Sequence, residues 1–185
     1  MIQRSESQRK GEEKTMDRAT LRSLQQPLKQ RYLQQPAEGT IRLSANGTIG
    51  AQNLSCSVQT GQAIVAAGLH PSTGGDGTLA CSGDLLLQAL AACAGVTLAA
   101  VATNRGFMIQ GNIQATGELD VRGTLGIDPQ VPVGFRSITL SLELQSDLSV
   151  ELVTDLVQTT EKYCVVLQTL RSVLPIEVES SNTSA

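Results

Sequence analysis

The chain has 185 residues, with 14 Lys and Arg against 17 Asp and Glu, for a formal net charge of −3. That length suits one domain with a real core, and the slight acidity, with no basic stripe among aromatics, argues against nucleic-acid binding. Aromatics are scarce (Tyr32, Phe107, Phe135 and Tyr163, with no Trp), so Leu, Val, Ile and Ala have to build that core.

Residues 1–20 carry many charges and no apolar period, which predicts a disordered arm ahead of a single domain over 21–180. The opening MIQRSESQRKGEEKTM lacks the apolar run of a signal peptide and so points to the cytoplasm. Met16 is a second candidate start. Residues 20–35 predict a short helix interrupted by Pro27.

From 40 to 66 the texture becomes that of a β-meander. Ile41, Leu43 and Ala45 alternate with polar residues, and Asn46-Gly47 is the dipeptide that most readily turns a two-residue hairpin. Leu54, Cys56 and Val58 alternate again, Thr60-Gly61-Gln62 predicts a second turn, and 63–66 a short strand. Residues 67–80 (AGLHPSTGGDGTLA) read as a loop. Within it, His70 before Pro71 reads as a structural residue. Gly74-Gly75 reads as plain flexibility, since no phosphate-loop pattern follows.

A long helix follows, preceded by Ser82 or Cys81, with Ser82 as its expected N-cap, Asp84 in its first turn and Gly106 as its stop. Its stretch LLLQALAACAGVTLAAVA (85–102) approaches the length of a bilayer span. It is rich in Ala, contains Gln88 and is flanked by Asp84 and Arg105. The expectation is therefore a helix buried on all sides in a soluble core, with no membrane partner. Two strands come next, over 109–121 and 138–144, each with strict period-two alternation. The link 122–135 holds two prolines and three glycines. A second long helix is expected over 148–171, capped by Asp147 or Ser146, and then a final strand over Ile176–Glu179. The order of elements is α+β, with helices laid on antiparallel sheet.

Four cysteines carry the candidate chemistry: Cys56, Cys81, Cys93 and Cys164. None forms a C-x-x-C pair and His70 is the one histidine, so no metal site and no bound cofactor is expected. Cys56 lies on the apolar face of a strand, where a free thiol is ordinarily a small hydrophobe. Cys81 sits in the approach to a helix, with its chemistry open. Cys93 and Cys164 each lie inside a long helix. The thiols would meet if those helices pack side by side, and the pattern alone leaves that open. Such a pair has definite uses. One thiolate attacks an O–O bond and becomes a sulfenic acid, and the second condenses with it to a disulfide. The attacking thiol then needs a lowered pKa, for which an Arg held by a carboxylate is a good device.

The segments CSGDLLLQALAACAGVTLAAVA (81–102) and EKYCVVLQTL (161–170), with the HP-x-x-GGDG approach (70–77) and the strand pair between the helices, resemble the OsmC/Ohr family over about residues 30–180. The resemblance implies an α+β fold with antiparallel sheets around two central helices, an intertwined homodimer, and active sites at the subunit interface. It makes Cys93 the peroxidatic and Cys164 the resolving cysteine of an enzyme that reduces organic hydroperoxides. Dithiols, in some members of the lipoyl type, would recycle the pair. The chain departs from the organic-peroxide branch at three points. Gly83 stands where that branch has an arginine-orienting Glu, Val165 stands where it has Pro after the second cysteine, and the nearest match to the family Arg is Arg42, ahead of the expected hairpin turn. Arg42 is thus a candidate thiolate stabiliser and Asp84 a candidate orienting acid, in a divergent subgroup. The alternative is a non-catalytic module of the same fold that binds a small apolar ligand.

Overall fold

Helix α1 (Arg18–Gln34) is the first element of the described residues, its first turn capped by the Asp17 carboxylate, which accepts from the Thr20 N–H at 2.7 Å. The computed structural model describes residues 16–41, 46–49, 55–60 and 63–181, with the backbone alone described for 46–49, 55–60 and 63. Most of the expected N-terminal arm therefore lies outside the described residues, and its end forms the start of α1. Pro27 does not interrupt α1. It removes one backbone bond, while the good helix formers around it (Gln25, Gln26, Leu28, Lys29, Gln30) carry the helix through. No α1 residue is buried. The helix rests along the long helix over Ser82–Arg105, held in part by Arg22 Nε donating to Asn104 Oδ1 at 3.2 Å.

Strands β1 (Asn46–Ile49), β2 (Ser55–Thr60) and β3 (Ala63–Gly68) make the expected meander, and the two-residue β4 (Ala80–Cys81) adds in parallel to β3. Asn46-Gly47 is not its turn. Asn46 pairs with Gln59 and Gly47 with Val58, inside the β1–β2 ladder. A dipeptide's preference for positive φ is local, and the ladder that the pairing adds outweighs it. Thr60 and Ala63 are partners on either side of the second expected turn, whose Gly61 and Gln62 lie outside the described residues. The strand expected over 41–45 falls largely outside the described residues.

Helix α2 (Ser82–Arg105) begins from Cys81, the second of the two expected starts, with Ser82 inside the helix, and ends at Gly106, whose φ of 82° is the left-handed cap conformation. It is not buried on all sides. Its fully buried residues are Leu90, Ala94, Leu98 and Ala102, one stripe at four-residue spacing, while Val96 is 73% exposed. The described residues cover one face of this helix. Among the described residues α2 is the one helix long and apolar enough to span a bilayer. Here it packs against the antiparallel pair and the last two helices.

That pair is β5 (Gln110–Glu118) and β6 (Ser137–Gln145), in register from Gln110–Gln145 to Glu118–Ser137. Apolar residues alternate inward as expected, with Ile113 facing Leu142 and Ala115 facing Leu140. The Phe135 ring lies so close over Gly117 that a Cβ there would sit 2.6 Å from two ring carbons. The link between the strands holds a short helix, α3 (Val121–Thr124), capped by Asp120.

The second long helix is two helices, α4 (Val150–Tyr163) and α5 (Val165–Arg171), divided at Cys164. Its cap is Ser149, whose hydroxyl accepts from the Leu152 N–H, rather than Asp147 or Ser146. The expected strand over Ile176–Glu179 does not form. Ile176 and Val178 are exposed, and the segment pairs with none of the described strands.

Candidate active site

The break at Cys164 builds the site. Cys164 takes φ −72° and ψ 107°, extended backbone between two helices. Its N–H still donates to the Thr160 carbonyl, closing α4, and its own carbonyl accepts from Gln168 N–H at 2.9 Å, opening α5. The first N–H groups of α5 are thereby left without a preceding helical turn to bond. Two Val residues, stiff at χ1 and poor helix formers, follow the break.

Cys93 lies mid-way along α2, where that helix crosses the break. Leu90, Ala94 and Cys164 form one buried cluster with Cys93, Val166 and Leu167 packed on it. The two cysteines pack in this one cluster, and each acts on the other's proton affinity. Burial pushes the Cys93 thiol up, but the Val166 N–H, the Cys164 thiol and the Val165 N–H outweigh it, leaving Cys93 below its ordinary value. Thr97 would add to this only by turning, since its single hydroxyl proton goes to the Cys93 carbonyl at 2.8 Å. Burial is also the main influence on Cys164 and raises it. The Leu167 N–H works against that rise, while the hydrogen bond and charge of Cys93 add to it. Cys93, partly exposed, is thus the thiol that gives up its proton, and Cys164, fully buried, is the one that keeps it.

The other expected site residues lie elsewhere. Asp84 is exposed in the first turn of α2. Nine residues separate it from Cys93, which places it about 13 Å away along the axis and on roughly the opposite face. Arg42 lies outside the described residues. Cys81 lines a different cavity, of about 480 Å³, with His70, Asp84 and Phe135. His70 is a structural residue: its Nδ1 accepts from the Ser72 N–H at 3.1 Å and caps a single 3-10 turn. The contribution of Val165 and Val166 was not visible in the sequence, because backbone N–H groups carry no sequence mark. A β-branched pair directly after a cysteine is the only local hint of the break.

A cavity of about 370 Å³ lies beside the thiol cluster, between β6 and the α4–α5 pair. Leu90, Ile138, Leu140 and Leu167 give it apolar walls, and Glu161 and Arg171 form an ion pair on its edge at 3.1 Å. Among the described residues no group of His, Cys, Asp and Glu has the arrangement of a metal site.

The family model described as OsmC-like protein matches residues 75–179, more than half of the chain. The chain belongs to the OsmC family. Its fold is shared with an OsmC-like protein from Mycoplasma pneumoniae, at 21% identity and a TM-score of 0.60 over 72% of this chain and 89% of that one. An OsmC-like protein from Vibrio cholerae superposes at 9% identity and a TM-score of 0.56, over 70% and 94% of the two chains. The organic hydroperoxide resistance protein OsmC from Legionella pneumophila does so at 17% identity and 0.53, over 71% and 90%. No curated protein sequence matches the chain. The α+β architecture of the OsmC/Ohr family is thus present, with the four-stranded sheet, the β5–β6 pair and the helices in order.

Proposed function

We propose that this OsmC-family chain is a thiol-dependent reductase of organic hydroperoxides, acting in oxidative or osmotic stress defence. The observation that carries the reading is the contact between Cys93 and Cys164, in which burial, charge and backbone N–H groups push the two proton affinities apart. The hydroperoxide resistance ascribed to the Legionella relative supports the choice of substrate class.

In the first step the Cys93 thiolate attacks the outer oxygen of the hydroperoxide. The O–O bond breaks, and the leaving alkoxide takes a proton to become an alcohol. Cys93 is now a sulfenic acid. The Cys164 sulfur then attacks the Cys93 sulfur, an S–S bond forms, and the hydroxyl leaves with the Cys164 proton as water. A dithiol such as a lipoyl group restores both thiols by exchange and is itself oxidised to a disulfide. Arg42 keeps a candidate role as an added cation. Asp84 has no role that its position in the chain supports.

The working unit in this reading is a homodimer. Among the described residues one chain alone fully buries only six apolar ones, and it leaves Val96, Leu33 and Ile64 largely exposed. The resting pair has to be reduced, which fits a reducing compartment such as the cytoplasm. Neither a membrane nor nucleic acid enters the mechanism.

Mass spectrometry after mild treatment with cumene hydroperoxide tests the proposal. A Cys93–Cys164 disulfide is expected. Thiols left unmodified would instead favour a binding module for a small apolar ligand. Cys93→Ser should abolish peroxide consumption, and consumption at the parent rate would overturn the assignment of roles.

A further inference from the structure

The organic-peroxide branch that this chain resembles places Pro after its second cysteine, and Pro breaks a helix by lacking an N–H. Here Val165 stands in that place, with an N–H able to continue α4. In an unbroken helix that group would donate to the carbonyl of Glu161, four residues back. The Glu161 carbonyl is already taken. The Gln168 side chain, reaching back seven residues across the break, donates to it from Nε2 at 2.7 Å. The Glu161 carboxylate is held from the same side by Arg171 Nη1 at 3.1 Å. Both contacts join the last turns of α4 to α5, and both oppose closure of the break.

We propose that Gln168 is a positioning residue for the reactive thiol: by occupying the Glu161 carbonyl it holds the α4–α5 break open and keeps the Val165 and Val166 N–H groups turned toward Cys93. Gln168 does a part of what proline does by covalent structure, with a reversible hydrogen bond. The direction of the Cys93 shift agrees, since the two N–H groups are among its causes. Arg171 assists, but as one half of an exposed ion pair it contributes less. The inference rests on the proposed thiol chemistry for its purpose, though not for its test.

The test is the pH profile of Cys93 alkylation by iodoacetamide in the full-length protein, read on the Cys93 peptide by mass spectrometry. Gln168→Met keeps the side chain's length and helix propensity and removes its donor. The Glu161 carbonyl, left without a partner, then draws Val165 N–H back into a continuous helix. The profile is expected to move to higher pH. The rate at pH 7 is expected to fall about tenfold, the factor implied by losing one hydrogen bond to a charged acceptor. Gln168→Ala should move it the same way. An unmoved profile in Gln168→Met overturns the proposal, whether or not the melting temperature falls, because a merely structural residue would lower stability without touching thiol acidity. If the profile moves as expected but cumene hydroperoxide yields no Cys93–Cys164 disulfide, the positioning role stands and the peroxidase reading fails.

Discussion

Two helices of this protein begin on a cysteine, and neither cysteine caps its helix with its side chain. Helix α2 starts from Cys81 and α5 from Cys164. By length the first should matter more, since it runs for 24 residues against 7 and has the more complete macrodipole. The first turn of α2 borders a largely apolar cavity, with Asp84 already in that turn. The free N–H groups of α5 face a sulfur delivered by another helix. Thiol chemistry at a helix start therefore depends less on the dipole than on what packing places in front of it. Cys81 is some 18 Å from Cys93 along α2, at about 1.5 Å per residue, and takes no part in the pair.

The sharpest way to break this contrast is to remove the two N-terminal cysteines in turn. Cys164→Ser should leave the first oxidation of Cys93 intact and stop turnover after it, with sulfinic acid accumulating on Cys93 under excess peroxide. Cys81→Ser should turn over at the parent rate. If instead Cys81→Ser were the inactive variant, the α2 start would be the working end of the molecule and the assignment argued here would be reversed. Steady-state peroxide consumption, with the oxidation state of each cysteine followed by mass, decides between them.

Much of this was legible from residue pattern, for identifiable reasons. The β5–β6 pair follows from uninterrupted alternation, and α2 from a long apolar run with a glycine stop; these signals are local and strong. The break at Cys164 was not legible. Val153, Leu156, Val157, Cys164 and Leu167 keep helical spacing straight through it, so periodicity predicts one helix where there are two. What opens the helix is a bond from Gln168 to a backbone carbonyl, a tertiary event with no periodic trace. The same limit explains Asn46-Gly47, whose turn preference lost to a ladder with residues a dozen positions away. It also applies to the missing strand at Ile176–Glu179, where a good β pattern pairs with none of the described strands. The site followed suit: the cysteines were legible, and their activating groups, being main-chain N–H, were not.

Packing, rather than acidity, is the next part of the comparison to test. Leu90 is 1% exposed and lies against Ala94 and Cys164, at the crossing that brings the thiols together. Leu90→Ala should destabilise the fold by about 2–5 kcal/mol, as large-to-small core changes do. It should also slow disulfide formation, because the crossing of α2 over the break loses its filler. Denaturant melts and the rate of the second oxidation step report the two effects separately. A full loss of stability with an unchanged disulfide rate would mean that the thiols are held together by something other than this cluster.

The pH dependence sharpens the difference between the paired thiols themselves. Folding lowers the proton affinity of Cys93, so its contribution to stability is present above the unfolded thiol's range and is lost as pH falls through the folded value. Cys164 behaves oppositely. Its raised value means a contribution present below the unfolded range and lost as pH rises through the folded one. Alkylation of the native protein should therefore proceed at Cys93 at a lower pH than at Cys164. The reverse order would show that burial, the leading influence on each, had overcome the N–H groups at Cys93.

The smallest expected effect concerns a helix start of the ordinary kind. α4 begins at Ser149, whose hydroxyl caps the Leu152 N–H at 3.4 Å, a long bond that places its value at the low end of the range for such caps. Ser149→Ala should cost about 0.5–1 kcal/mol by that comparison. It should leave the Cys93 alkylation profile where it was, because α4 hands its constraints to the site only at its other end, through Thr160 and Glu161. A shift in that profile would mean that fraying at residue 149 travels fourteen residues to the break, and that α4 moves as one rigid lever on the thiol pair. An unshifted profile with the expected loss of stability would confine control of the thiols to the short stretch from Thr160 to Gln168.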